Sequence, residues 1–129
     1  MKWVFEKLEP GDHIRVKRPH YYHHGVYIGD GMVIHFTGEK NDSILEPENV
    51  IVRKTTIEFF ANGEIVEKAK PSFFEKRHVK NPKTTVDEAE KAIGEGNYDF
   101  LHNNCEDFAN RVCYDKKLTS QIETIKDKI

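Results

Sequence analysis

Cysteine is scarce in this chain: only Cys105 and Cys113 occur among 129 residues. That excludes a disulfide-stapled scaffold, and a chain of this length buries a core without staples. On one helix, residues eight apart stand ~12 Å apart along the axis, beyond the ~7 Å between Cα atoms that a disulfide spans. Two unbridged thiols suit a reducing compartment, and a cytoplasmic location is expected. Long apolar runs are also missing. No segment approaches the ~18 residues of a membrane-spanning helix. Met1-Lys2-Trp3-Val4-Phe5-Glu6-Lys7 carries charges where a signal peptide has its apolar stretch. An excess of one charge is lacking too. Lys and Arg number 20 against 22 Asp and Glu, a net charge of −2, and they are scattered. Nothing draws such a chain generally to nucleic acid or to an anionic membrane.

What is present reads as strands first and helices later. Glu9-Pro10-Gly11-Asp12 is a turn. Residues 13–18 alternate polar and apolar and predict a half-buried strand. Residues 22–28 and 32–36 predict two more, joined by the hairpin signal Gly29-Asp30-Gly31. Residues 49–58 are rich in Val, Ile and Thr, and residues 59–66 predict a hairpin turning at Asn62-Gly63. Residues 67–83, polar and interrupted by Pro71 and Pro82, predict a loop. Residues 84–92 predict a helix capped by Thr85 with Glu88 and ended by Gly94 and Gly96. Asn103 or Asn104 caps the next helix, which runs from Cys105 to about Tyr114, with Asn103 and Glu106 in capping-box spacing. Residues 118–128 predict a last, amphipathic helix. With no repeat and no linker, residues 1–129 are expected to form a single α+β domain, its antiparallel sheet packed against the helix that bears Cys105.

Cys105, Phe108, Ala109 and Val112 follow i, i+3, i+4, i+7 and share a helix face, with Asp107, Asn110 and Arg111 directed elsewhere. Cys105 thus stands in a first turn, where partial positive charge and backbone N–H groups favour a thiolate and offer hydrogen bonds to an oxyanion. Glu106 and Asp107 oppose the thiolate. The other reading of Cys105 is a buried structural thiol, which is the expected role of Cys113. A catalytic thiol needs a base, and the base an orienting group. His20, His23 and His24 lie close together, and His35 follows across the hairpin. A two-residue loop would put His24 on one face with His35. A three-residue loop, Gly29-Asp30-Gly31, puts His35 opposite Gly25 and near His23. The second register is favoured. It sets Gly25 where a missing side chain lets the cysteine helix approach. It also gathers Tyr22, His24, Val26, Ile28, Met32, Ile34 and Phe36 on the other, largely apolar face. The histidines also allow blander readings, as satisfied strand residues or, with Cys105, as a zinc site, although no C-x-x-C pair is present.

These blocks resemble a known family. His23-His24-Gly25-Val26-Tyr27-Ile28-Gly29-Asp30-Gly31-Met32-Val33-Ile34-His35-Phe36 resembles the histidine block of lecithin–retinol acyltransferase-like proteins. Asn104-Cys105-Glu106-Asp107-Phe108 is similar to their Asn-Cys-Glu-His-Phe block, and Pro10-Gly11-Asp12, Arg18 and Tyr21 also match. The resemblance implies a circularly permuted NlpC-type papain-like fold, in which the histidine strands precede the cysteine helix. It implies a thiol acyltransferase or hydrolase that passes through a thioester. Position by position, it implies Cys105 as nucleophile, His23 as general base, His35 as the group orienting His23, and Tyr21 and Asn104 as support for the oxyanion, with no cofactor and no metal. His24 stands where many animal members have tryptophan and has no catalytic role in that scheme.

The implied substrate is an acyl ester of phospholipid type, with transient contact to a membrane surface and no nucleic-acid partner. Three departures stand out. Asp107 replaces the usual histidine, no hydrophobic C-terminal segment like the anchor of many animal members is found in these residues, and residues 39–81 match no motif. The same dyad would also serve a cysteine peptidase or amidase, and the fold without turnover would serve as a binding module.

Overall fold

A computed structural model describes residues 1–40, 47–99 and 104–127. Among them, six strands form one antiparallel sheet: β1 (Lys2–Val4), β2 (His13–Lys17), β3 (Tyr22–Gly29), β4 (Met32–Thr37), β5 (Ile51–Thr56) and β6 (Glu67–Lys70), in the order β1-β6-β2-β3-β4-β5. Four helices accompany it: α1 (Ile57–Ala61), α2 (Pro82–Ala92), α3 (Cys105–Cys113) and α4 (Lys116–Asp127). The class is α+β, as early strands and late helices predict.

Alternation along the central strands sends side chains to two faces. On one face Val26, Ile34, Phe36 and Val52 meet Phe108, Ala109 and Val112 of α3 and Ala89 of α2. On the other, Ile14, Val16 and Val33 meet Phe60 of α1. The face of α3 read from the sequence is the buried one, although Asn110, expected to point outward, is buried too.

Register decides which histidines share a face. Val26 pairs with Ile34 and Tyr27 with Val33, and a bulge then lets Gly29 pair with Met32. This is the register expected of a three-residue loop, but it is reached by a two-residue turn, Asp30-Gly31, together with the bulge. Gly29, Asp30 and Gly31 have φ of +96°, +53° and +72°, a left-handed run that glycine and aspartate tolerate. His23, Gly25, Val33 and His35 therefore lie on the face of α1, and His24, Val26, Ile34 and Phe36 on the face of α3. The cysteine helix thus packs on the opposite side from the one expected, and it is Phe60 that fills the hollow over Gly25. A Cβ on Gly25 would stand 2.7 Å from Phe60 Cε1, 2.9 Å from Val33 Cγ1 and 3.2 Å from the His35 Cβ. Gly25→Ala is accordingly expected to cost ~1–3 kcal/mol by overpacking, measured as a lower urea midpoint at unchanged slope. A variant as stable as the parent would mean that the Phe60 ring can step aside.

Three local expectations fail. The hairpin expected at Asn62-Gly63 is instead the end of α1: the Thr56 hydroxyl accepts from Phe59 N, and Asn62 closes the helix in the left-handed region, φ +48°. The segment expected as a loop contains β6, which lies between β1 and β2. Its alternation is hidden by charge, because Glu67 pairs with Arg15 and Lys68 with Asp12. Helix α2 begins at Pro82, with Asn81 accepting from Lys83 N. An N-cap asparagine followed by proline is a start signal, and Thr85, read as the cap, is buried inside the helix.

Candidate active site

Helix α3 opens at Cys105 because Asn104 caps it. Asn104 Oδ1 accepts from Asp107 N at 3.0 Å, and Asp107 Oδ2 accepts from Asn104 N at 3.2 Å. This capping box uses Asn104 and Asp107, not the expected Asn103 and Glu106; Asn103 lies outside the described residues. It also gives Asp107, the departure from the family pattern, a structural task. The box holds Cys105 in the first turn, where the residue is only 6% exposed.

The Cys105 Sγ accepts from the backbone N–H of His24 at 3.5 Å. That N–H belongs to the peptide joining His23 to His24. Tyr27 N points to β2, donating to Asp12 O, so by alternation His24 N points toward the β4 side. Pairing of β3 with β4 begins only at Val26, whereas β3 begins at Tyr22. Strand β4 runs on to Thr37 against β5, so the sulfur sits where a ladder acceptor would be had the β3–β4 pairing continued to Phe36. Although α3 packs on one face and the His23 ring lies toward the other, the thiol is brought to the His23 peptide at the sheet's open seam.

His23 and His35 meet. His23 Nε2 is 2.8 Å from His35 Nδ1, and His35 Nε2 is 2.7 Å from Thr55 Oγ1, whose hydroxyl donates to Thr56 O at 3.2 Å. Both imidazoles are buried, and Phe60 walls them at ring distances of 5.2 and 5.0 Å. A cavity of about 320 Å³ opens on the sulfur, lined by Trp3, Arg15, Tyr21, Tyr22, His24, Tyr98, Asn104, Cys105 and Glu106. Tyr21 and Asn104 therefore line the same cavity as Cys105. His20 is exposed, outside the cavity. It and His24 stand four residues apart, a spacing that aligns ligands on a helix but not across a turn into a strand. Among the described residues no group of His, Cys, Asp and Glu is arranged to hold a metal ion.

Two features of the site escaped sequence reasoning. His24 is on the cavity wall with its Nδ1 2.7 Å from His13 Nε2, and His13 was read only as the start of a strand. Cys113 closes the same helix. Its Sγ donates to Gly11 O at 3.8 Å, and burial pushes its thiol far up, so it stays protonated. Both cysteines are free.

In this α+β fold Cys105, at a capped helix start, lies against β3, whose buried His23 meets His35 of β4. The chain belongs to the lecithin retinol acyltransferase family, whose sequence model matches residues 6–118. It is 25% identical to the lecithin retinol acyltransferase of Mus musculus over 139 aligned residues, covering 92% of this chain and 60% of that protein. It is 32% identical to phospholipase A and acyltransferase 1 of Rattus norvegicus over 119 residues (87% and 71% covered). To phospholipase A and acyltransferase 4 of Homo sapiens it is 25% identical over 133 residues (96% and 80%). The chain thus spans 60% of the length of the mouse lecithin retinol acyltransferase. No helix among the described residues is long and apolar enough to cross a membrane.

Proposed function

We propose that this protein is a cysteine-dependent acyltransferase or hydrolase that forms a thioester on Cys105 with His23 as general base. One observation carries the reading: the Cys105 sulfur lies on the peptide of His23, whose Nε2 is tied to His35. The direction of that histidine pair supports it. The Thr55 hydroxyl donates to Thr56 O and so accepts from His35 Nε2–H; His35 Nδ1 then accepts from His23 Nε2–H. In the neutral pair His23 Nδ1 carries the lone pair, which is what a base facing a thiol requires.

His23 Nδ1 takes the Cys105 proton, and the thiolate attacks the acyl carbonyl. The helix N-terminus and the His24 N–H favour the charged sulfur. The Cys105 N–H, with Tyr21 beside it, receives the oxyanion, while Asn104 supports the site by holding the cap. The leaving group departs with the proton from His23, and water or an acceptor nucleophile, deprotonated by His23, resolves the thioester.

The relatives' names, lecithin retinol acyltransferase and phospholipase A and acyltransferase, point to a lipid acyl ester as donor, met in transient contact with a membrane surface. We read the chain as one domain, cytoplasmic, with the histidine strands ahead of the cysteine helix, the order of a permuted NlpC-type papain-like fold. A peptidase or amidase reading draws on one observation: among the described residues no aliphatic side chain lines the cavity. Turnover of a phospholipid against an isopeptide separates the two.

The test is the rate of Cys105 alkylation against pH, read by peptide mass spectrometry. Cys105 is expected to react with a midpoint below the ordinary thiol value of ~8.5, Cys113 in the same digest to stay silent, and His23→Ala to remove the advantage. A Cys105 profile indifferent to His23 would sink the dyad.

A further inference from the structure

A second histidine pair stands beside Cys105, and the mechanism above does not use it. Tyr114 Oη lies 2.8 Å from His13 Nδ1, and His13 Nε2 lies 2.7 Å from His24 Nδ1. All three side chains are buried. Trp3 packs edge-on against both imidazoles, at 4.9 and 5.7 Å, and is itself held under the Arg15 guanidinium at 4.3 Å. The chain of contacts runs from the C-terminal end of α3 across β2 to β3 and ends at the cavity that contains Cys105.

The direction of its hydrogens follows from chemistry. A phenol has one hydrogen, and Tyr114 has two acceptors in reach, His13 Nδ1 at 2.8 Å and the Met1 thioether at 3.4 Å. Sulfur is the weak acceptor, so the hydrogen goes to His13. Burial pushes the Tyr114 phenol well above its usual range, so it remains a donor. Burial holds His13 well below the ordinary histidine range, so it is neutral with one hydrogen. With Nδ1 accepting, that hydrogen is on Nε2 and is donated to His24 Nδ1. A neutral His24 then carries its own hydrogen on Nε2, the nitrogen turned away from His13. His23 and His24, adjacent in sequence, would thus be set to opposite tasks, one imidazole with a lone pair for the thiol and the other with an N–H for the substrate.

Resting on the acyl-transfer reading, we propose that Tyr114, His13 and His24 form a relay that fixes His24 as a hydrogen-bond donor, from Nε2–H, to the carbonyl oxygen of the acyl substrate in the Cys105 cavity. Tyr114 and His13 are positioning residues, and His24 touches the substrate. No proton leaves His24. As the carbon–sulfur bond forms, the carbonyl π pair moves onto oxygen and is held there by the N–H. It returns when the leaving group departs with the proton that His23 took from Cys105.

Two measurements test this. Long-range ¹H–¹⁵N NMR of the full chain at neutral pH is expected to find both His13 and His24 protonated on Nε2. In Tyr114→Phe, which keeps the ring and removes the donor, that uniform pattern is expected to be lost. His24 protonated on Nδ1, or a pattern indifferent to Tyr114→Phe, overturns the relay whatever the protein catalyses. The second measurement compares acylation of Cys105 by p-nitrophenyl butyrate with its alkylation by iodoacetamide. His24→Phe is expected to lower the acylation rate ~10²–10³-fold and leave alkylation little changed, and His24→Gln, which restores an N–H near the same place, to recover part of the loss. Acylation falling only in step with alkylation would make His24 a structural residue and overturn the donor role. A parent protein whose Cys105 is alkylated but never acylated overturns the acyl-transfer reading and the donor role with it, while the NMR result still decides the tautomers.

Discussion

Cys105→Ser is expected to reduce ester turnover by roughly 10⁴-fold or more while leaving the fold intact. The physical reason lies in the nucleophile. A serine hydroxyl at this place keeps an acceptor for the His24 N–H, which the sulfur meets at 3.5 Å, and it keeps the capping box of Asn104 and Asp107. It loses a group whose ionised form a helix N-terminus and one neutral histidine can populate near neutral pH. Incubation with p-nitrophenyl butyrate followed by intact-mass measurement should give one butyryl adduct on the parent, mapped to the Cys105 peptide and released by hydroxylamine. The variant should give none, and its urea midpoint should stay close to that of the parent. Cys113 serves as the control: it is buried at the other end of α3 and held protonated by that burial. Turnover surviving in Cys105→Ser would place the chemistry elsewhere.

Phe60→Ala is expected to cost ~3–5 kcal/mol of stability, the largest loss foreseen from a single truncation. Phe60 is fully buried and fills the space over Gly25. No neighbour collapses easily into the gap, because Val33, Ile14 and Val16 are fixed in the sheet beneath it. The gap would open on the outer side of the His23–His35 pair, which Phe60 walls at about 5 Å. Loss of stability should therefore be accompanied by loss of Cys105 reactivity even where the variant remains folded. Urea denaturation measures the first and alkylation at low urea the second. Phe60→Leu should restore most of both. A cost below ~1 kcal/mol would mean that α1 is a surface turn rather than part of the core.

Much of the site was legible because its signals are local. The run Gly29-Asp30-Gly31 marked the hairpin but allowed two registers; the one favoured is observed, and it groups the other face as expected, although the reason drawn from Gly25 fails because Phe60 and not α3 fills that hollow. The spacing of Cys105, Phe108, Ala109 and Val112 marks the buried stripe of α3 whatever it packs on. The misreadings share one cause. Residues 57–61 are β-formers by composition, yet form a helix because that conformation drives Phe60 into the space over Gly25. Glu67 and Lys68 conceal β6 because their partners, Arg15 and Asp12, are more than fifty residues away in sequence. His13 looked like the start of a strand, and only its meeting with Tyr114 and His24 makes it part of a relay.

By itself the sequence determined the α+β class, the place of the hairpin and the helix that begins at Cys105, and it narrowed the hairpin to two registers, one of which sets His35 near His23, since periodicity, turn chemistry and end-capping act over a few residues. Only the tertiary structure decided which face of the sheet receives α3, that the thiol meets the histidine strand at the open seam beside β4, and that His24 faces the same cavity. Those outcomes depend on which of two apolar faces buries the larger helix and on hydrogen bonds between residues up to about a hundred positions apart, and no local propensity encodes either.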